Sequence, residues 1–399
     1  MPHYRKRHIE PVLKKLLGMS PIVGILGHRQ VGKTTTLEKL AKHYYTMDDS
    51  RELLSAQNNP KQYLAERADH KAALDECQLA PELFPALKEW VRTHPRPGQF
   101  LLSGSVRFTS RKVIQESLTG RIVNLELLPL LISELTNAPL PNFWRRHILS
   151  DSFPRETLVL KSEKLKTKTL EQYLISGGLP GLCFIRDQRF LERKLDTQVE
   201  TMLDRDLRKI VPTHITYPEL RRLVQILADR QGENFPWTEM SRESGISIPT
   251  LKKLLFGLES VFLIRTVAVE GNRTASVYYF EDLGELNFLR TEPLGIREKV
   301  IHTLMVHIRG EMSYGSSVPF RIFQYRTRAG VCVPLVLQVK DQFMAVIALE
   351  AETPSRSEMA AADSFLKRYN RSKVVMIHRG GNLARLDSRK MVMPLQMTV

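Results

Sequence analysis

The stretch Gly27-His28-Arg29-Gln30-Val31-Gly32-Lys33-Thr34, continued by Thr35, reads glycine, four residues, then glycine-lysine-threonine. Glycines at these places let the backbone curl and aim successive N–H groups at phosphate oxygens. A lysine at Lys33 reaches the β- and γ-phosphates, and a hydroxyl at Thr34 holds Mg²⁺. The flanks agree with this reading. Pro21-Ile22-Val23-Gly24-Ile25-Leu26 has the character of a short buried strand, and Thr34 to His43 that of a helix opening directly after the loop. A helix start adds free N–H groups and a positive dipole end. A Gly-rich turn that binds nothing is the competing reading, and the strand and helix on either side argue against it.

The chain has 399 residues, too many for one typical domain, and 42% of them are hydrophobic, enough for sizeable cores. No stretch approaches the roughly 18 apolar residues that span a membrane. The basic start Met1-Pro2-His3-Tyr4-Arg5-Lys6-Arg7 leads into no long apolar run, so no secretory signal is expected. Cys77, Cys183 and Cys332 are scattered and form neither a metal-ligand spacing nor a disulfide framework. A reducing, cytoplasmic setting is the expectation. The net charge of +16 favours a polyanionic partner such as nucleic acid.

Downstream, His70-Lys71-Ala72-Ala73-Leu74-Asp75-Glu76 is a short, mainly apolar segment ending in two acids. At a strand end, Asp75 would hold Mg²⁺ and Glu76 would orient or deprotonate the attacking water. Gln99-Phe100-Leu101-Leu102-Ser103-Gly104-Ser105 is a further apolar run. Ligands of parallel α/β sheets sit at the carboxyl ends of strands, which offers Ser103 or Ser105 to the γ-phosphate or the lytic water. A tight turn would use Ser-Gly-Ser equally well. Arg121, before the alternating run Ile122 to Leu127, is a candidate for offsetting charge in phosphoryl transfer, in its own site or in that of a neighbouring copy.

The order of these pieces resembles the bacterial and archaeal AAA-fold ATPases that carry a helical and winged-helix C-terminal region of unknown function. The matching residues are Gly27 to Thr35, Tyr45-Thr46-Met47-Asp48-Asp49, Leu74-Asp75-Glu76-Cys77-Gln78 with Leu79 to Phe84, and Leu101 to Ser105. Leu118-Thr119-Gly120-Arg121, Leu128-Pro129-Leu130 and Ser133-Glu134-Leu135 complete them. The resemblance implies ATP and Mg²⁺ as cofactors. It also implies an α/β P-loop NTPase domain of AAA type over residues 1–138, with Lys33, Thr34, Asp75 and Glu76 in the roles given above.

Residues 139–169, with Pro139, Pro141, Pro154 and four lysines between Lys161 and Lys168, read as a linker. Tyr173 to Gly181 and the helical pattern from Gln188 to Ile210 suggest two helices joined by a Gly/Pro turn. Trp237 to Ser244, Gly245-Ile246-Ser247 and Thr250 to Glu259 suit a helix-turn-helix, with Pro249 near the first helical position. Strands at Val261–Val267 and Ser276–Glu281 would then make residues 170–285 a helical and winged-helix region. Lys252 and Lys253 could approach DNA phosphates, although no arginine or asparagine takes an obvious base-reading position.

Residues 286–399 run helix, strands, helix, strand, an order that resembles the PD-(D/E)XK nuclease fold. Such a site needs clustered acids and a lysine. Here Glu298 could serve as the helix acid, but the central aspartate position reads Val331-Cys332-Val333-Pro334-Leu335. The Glu-x-Lys position reads Glu350-Ala351-Glu352. A degenerate, non-cleaving α/β domain is expected. The leading functional reading is a slow Mg²⁺-dependent ATPase acting as a switch on a protein partner or another copy of itself. An ATP-dependent DNA-binding protein or loader and a non-hydrolysing ATP-binding adaptor are the alternatives.

Overall fold

The computed structural model describes residues 4–68, 71–107, 120–154, 167–270 and 276–399. His70, Leu118, Thr119 and residues 155–166 of the expected linker lie outside the described residues. Two sheets organise the chain. The first holds five parallel strands, β1 (Ile22–Leu26), β2 (His43–Thr46), β3 (Ala72–Asp75), β4 (Phe100–Gly104) and β5 (Ile122–Glu126), in the order β2-β3-β4-β1-β5. Successive side chains of a strand point to opposite faces, and helices cover both faces of this sheet. Ile22, Leu74, Phe100 and Leu102 therefore pack into one core, and Val23, Ile25, Ala73 and Leu101 into the other.

The register matters for the site. Leu26 pairs with Gly104, and Leu74 pairs with Leu102, so the carboxyl ends of β1, β4 and β3 lie side by side. Strand β4 stands between the strand that feeds the phosphate loop and the strand that ends in the acids. The helix after the loop runs Lys33–Leu40, and His43 already belongs to β2, three residues earlier than the sequence reading placed the helix end.

The second body begins with the helices Thr167–Ser176 and Gln188–Glu200. Helices Tyr217–Asp229, Trp237–Ser244 and Ile248–Ser260 follow, then an antiparallel hairpin of β6 (Ile264–Glu270) and β7 (Ser276–Phe280). After the long helix Ile296–Gly315 come β8 (Arg321–Arg326), β9 (Cys332–Val339), β10 (Gln342–Ala348), β11 (Ser372–His378), β12 (Ala384–Arg385) and β13 (Lys390–Pro394). The hairpin and the C-terminal strands form one sheet, β12-β13-β11-β10-β9-β8-β6-β7, through parallel pairing of Val269 with Gln324 and of Glu270 with Tyr325. One hydrophobic core runs from Ile132 through Leu254 and Leu304 to Val399. The sequence reading separated these regions at 285/286, a boundary that falls inside the helix Leu283–Leu289. Local patterning cannot register a strand pairing between residues more than fifty positions apart.

Two contacts lock the bodies together. Phe262 has φ +60°, a left-handed backbone rare for an aromatic residue, and its ring is buried in the first body's core beside Phe84 and Phe100. The Arg107 guanidinium lies 4.5 Å from the centre of that ring and donates to the Glu259 carbonyl at 3.0 Å. A partly buried ion cluster adds to this: Arg265 meets Glu126 at 2.6 Å and Glu281 at 2.9 Å, and Arg309 meets the same two acids at 2.5 and 2.6 Å. Burial would raise the Glu281 pKa, but Arg265, Arg309 and Arg107 hold it below its ordinary value. No helix among the described residues is long and apolar enough to cross a membrane.

Candidate functional site

The loop leaves β1 at Leu26 and closes around the Lys33 side chain. A Cβ on Gly27 would stand 2.4 Å from the Leu127 carbonyl oxygen, so only glycine fits there. Gly32 takes φ +99° and caps the helix without a side-chain bond. The first-turn N–H groups have no partner within the helix and form an anion-binding end. Lys33 donates from Nζ to the carbonyls of Gly27, at 3.0 Å, and His28, at 2.9 Å. Burial pulls the Lys33 pKa down, and the charges of Glu76 and Asp75 partly oppose this.

The two acids face the loop. Thr34 Oγ1 and the Tyr44 hydroxyl each donate to Asp75 Oδ2 at 2.7 Å. The other oxygen accepts from the Glu76 backbone N–H at 3.0 Å and from the Ser103 hydroxyl. Glu76 has φ +53° and ψ +38°, a turn that carries its carboxylate off the strand axis. Ser105 donates to Glu76 Oε2 at 3.1 Å, and the Gln78 amide donates to the same oxygen. Each serine at the end of β4 thus holds one acid. The Ser103 hydroxyl, expected at the γ-phosphate or the lytic water, donates to Asp75. Thr34 and Asp75 together present hard oxygens beside the loop, a donor set that fits Mg²⁺.

The remaining loop residues are held from a distance. His28 is buried, and its Nε2 lies 2.9 Å from the Glu285 carboxylate, which also accepts from the Gln198 amide at 2.5 Å. Burial alone would lower the His28 pKa, but Glu285 and Asp282 raise it above its ordinary value. Arg29 lies 3.5 Å from Asp206. Gln30 takes φ +61°, and Val31 is fully buried beneath the loop. Arg7 donates to the carbonyls of Val31, at 2.8 Å, and Leu128, at 2.5 Å, and pairs with Glu134 at 3.2 Å. Beside Thr35 a cavity of about 130 Å³ is lined by Tyr4, Gly32, Leu130, Pro180 and Phe184 among others. Arg7, Tyr44 and Glu285 escaped sequence reading because no motif links them to the loop.

For Arg121, only the alternative of action in its own site is narrowed by the sheet. It precedes β5, and β5 runs parallel to β1 with Ile22 opposite Ile122. Arg121 therefore sits at the amino end of the sheet, while the loop leaves at the carboxyl end. Four residue steps of about 3.3 Å separate those ends, so Arg121 cannot reach the phosphate site of its own chain.

In the second sheet the acids point elsewhere. Glu298 accepts from the Gly295 N–H at 2.8 Å and pairs with Arg290 at 3.3 Å. Glu350 pairs with Arg297 at 3.5 Å, and Glu352 accepts from the Gly381 N–H at 3.0 Å.

A parallel sheet with a glycine-lysine-threonine loop at its carboxyl edge and two acids one strand beyond its neighbour defines a P-loop NTPase domain. Residues 19–136 match the family model of an AAA domain, in keeping with a P-loop ATPase fold for this part of the chain. Residues 167–293 match the model of a domain of unknown function, DUF8612. The chain is similar to uncharacterized proteins of Mycobacterium bovis and Mycobacterium tuberculosis, 24% identical to each over 296 residues. Each match takes in 72% of this chain and spans 59% of the relative's length. Among solved structures it is similar to a Walker-type ATPase of Pyrococcus abyssi, with a TM-score of 0.42, 14% identity, and coverage of 70% of this chain and 94% of that one. A second is a STAND-class signal-transduction ATPase with a tetratricopeptide repeat sensor from Pyrococcus horikoshii. It has a TM-score of 0.28, 11% identity, and coverage of 79% and 48%.

Proposed function

We propose that the chain binds ATP with Mg²⁺ and hydrolyses it slowly, acting as a nucleotide-driven switch in the cytoplasm. The observation that carries this reading is the convergence of Lys33, Thr34, Asp75 and Glu76 at one sheet edge, with a serine bonded to each acid. The loop N–H groups and Lys33 stabilise phosphate charge. Thr34 and Asp75 hold the metal, which supplies Lewis-acid polarisation of the phosphoryl oxygens when bound. Glu76, swung off the strand by its left-handed backbone, orients the water and takes its proton. The cavity beside Thr35, with Tyr4, Pro180 and Phe184 in its wall, suits the apolar faces of a purine.

Slow turnover follows from the site lacking its own Arg121. A neighbouring copy or another protein would add a further cation to Arg29 and Arg205, which already stand by the loop. The readout runs through His28 and Glu285, and through Arg107, which follows Ser105 and Val106 directly and holds the end of the helix Ile248–Ser260. Three helices followed by a two-stranded hairpin form a winged helix in this reading, and the C-terminal sheet is a nuclease-like domain without its acids in place. ATP binding by calorimetry tests the claim: wild type binds in a Mg²⁺-dependent manner and Lys33→Ala does not. Equal binding by both would contradict it.

A second reading, DNA contact, draws on the exposed side chains of Lys252, Lys253 and Phe256 on one helix. Salt-dependent duplex binding that loses a slope of about 1 for each lysine replaced would support it.

A further inference from the structure

Asp206 meets the phosphate loop at Arg29 from the second body. It lies on Thr201–Leu207, a wide π-helical stretch that continues the helix Gln188–Glu200. Such widened turns are uncommon and gather at functional sites. Met202, Leu203 and Leu207 anchor the stretch in the second core, while Asp206 faces the loop. The residue is 7% exposed, and its carboxylate is divided between two cations. Oδ2 lies 3.5 Å from Arg29 Nη1, and Oδ1 lies 2.9 Å from Arg205 Nε. Both guanidiniums keep a solvent-facing side, at 30% and 49% exposure. Lys33 feels the charges of Asp206 and Arg29, and Arg205 feels those of Asp48 and Glu76. One buried carboxylate thus neutralises cations around the place where the loop would receive phosphate.

We propose that Asp206 is an intramolecular stand-in for phosphate: it pairs Arg29 and Arg205 in the resting chain, and the terminal phosphate of ATP takes over both cations. This rests on the ATP-binding reading above and adds its regulation. A γ-phosphate brings more negative charge to the loop than ADP does, so it competes better for the two guanidiniums and repels the displaced carboxylate. The π-helical turn then gains a different set of bonds in the ATP state, and the change enters the DUF8612-matching region directly. Asp206 is a positioning residue in this scheme, acting through Arg29 and Arg205.

The test is calorimetric binding of ATP and ADP, with Mg²⁺, to the full chain. Asp206→Asn keeps shape and removes the competing charge. It is expected to tighten ATP by about tenfold, the scale of one charge-assisted hydrogen bond, and ADP by clearly less. Asp206→Glu should stay near wild type. Arg205→Gln, at a half-exposed position, is a second route should Asp206→Asn fold poorly: it should shrink the preference for ATP over ADP. The proposal is overturned if Asp206→Asn binds ATP no tighter than wild type, if it tightens both nucleotides equally, or if Arg205→Gln leaves the preference unchanged. Wild type that binds neither nucleotide would overturn the ATP-binding reading itself, and this proposal with it.

Discussion

The carboxyl edge of the first sheet and the acid-bearing face of the second use the same residue types for opposite ends. At the first, Asp75 and Glu76 accept bonds from Thr34, Tyr44, Ser103 and Ser105, all of which turn toward the loop. At the second, Glu298 closes the start of its own helix, Glu350 meets Arg297, and Glu352 holds the Gly381 N–H. Acids become chemical groups when neighbouring strands aim donors and a cation at a shared space. They become structural groups when the nearest backbone N–H or arginine takes them.

The contrast breaks most directly at Lys33. Lys33→Ala should lower ATP turnover by about a thousandfold, the scale of removing a preorganised charge from a phosphoryl-transfer site. Glu352→Gln in the second sheet should leave turnover within about twofold, since surface changes rarely propagate. A comparable loss from Glu352→Gln would show that the two sheets share one chemistry.

The next largest effect is on stability, where the bodies join. Phe262→Ala should cost about 3–5 kcal/mol in denaturant unfolding, as for a buried aromatic ring. Phe262→Gly should be the more stable of the two small variants, because only glycine takes φ +60° without strain. The reverse order would mean the left-handed backbone is not retained.

The loop's own tie is smaller. His28→Gln or Glu285→Gln should each destabilise by about 3 kcal/mol, since either leaves a buried partner unpaired, and the double variant should cost little more. The sign with pH is fixed by the raised His28 pKa. The pair's contribution is complete below the ordinary imidazole value of 6.5 and is lost as pH rises through the higher folded-state value. Thermal unfolding across pH 6 to 9 should therefore show the gap between wild type and Glu285→Gln closing at the alkaline end. A gap that widens would refute a protonated His28. Smallest is Ser103→Ala, which should slow turnover by about tenfold through a less firmly held Asp75 with ATP affinity nearly unchanged.

What could be read from sequence follows the same divide. Gly27, Gly32, Lys33 and Thr34 stand out because their spacing alone builds the loop, and Asp75, Glu76 and Ser103 because each ends an apolar run, but the bond from Ser103 to Asp75 has no sequence signal. The distance of Arg121 from its own chain's loop is also visible in the sequence, since a residue preceding a parallel strand lies at the amino end. The strand order that puts Ser103 and Ser105 between loop and acids was not legible. Nor were Glu285 and Asp206, which reach the loop from residues more than 170 positions away. Their partners are chosen by packing of the second body, which no local pattern records.

The most direct test of the central claim is ATP turnover by the purified chain with Mg²⁺, run beside Glu76→Gln. The account predicts slow wild-type turnover, a loss of about a hundredfold or more in Glu76→Gln, and ATP binding retained in that variant. Wild-type turnover that survives the loss of the Glu76 carboxylate would contradict it.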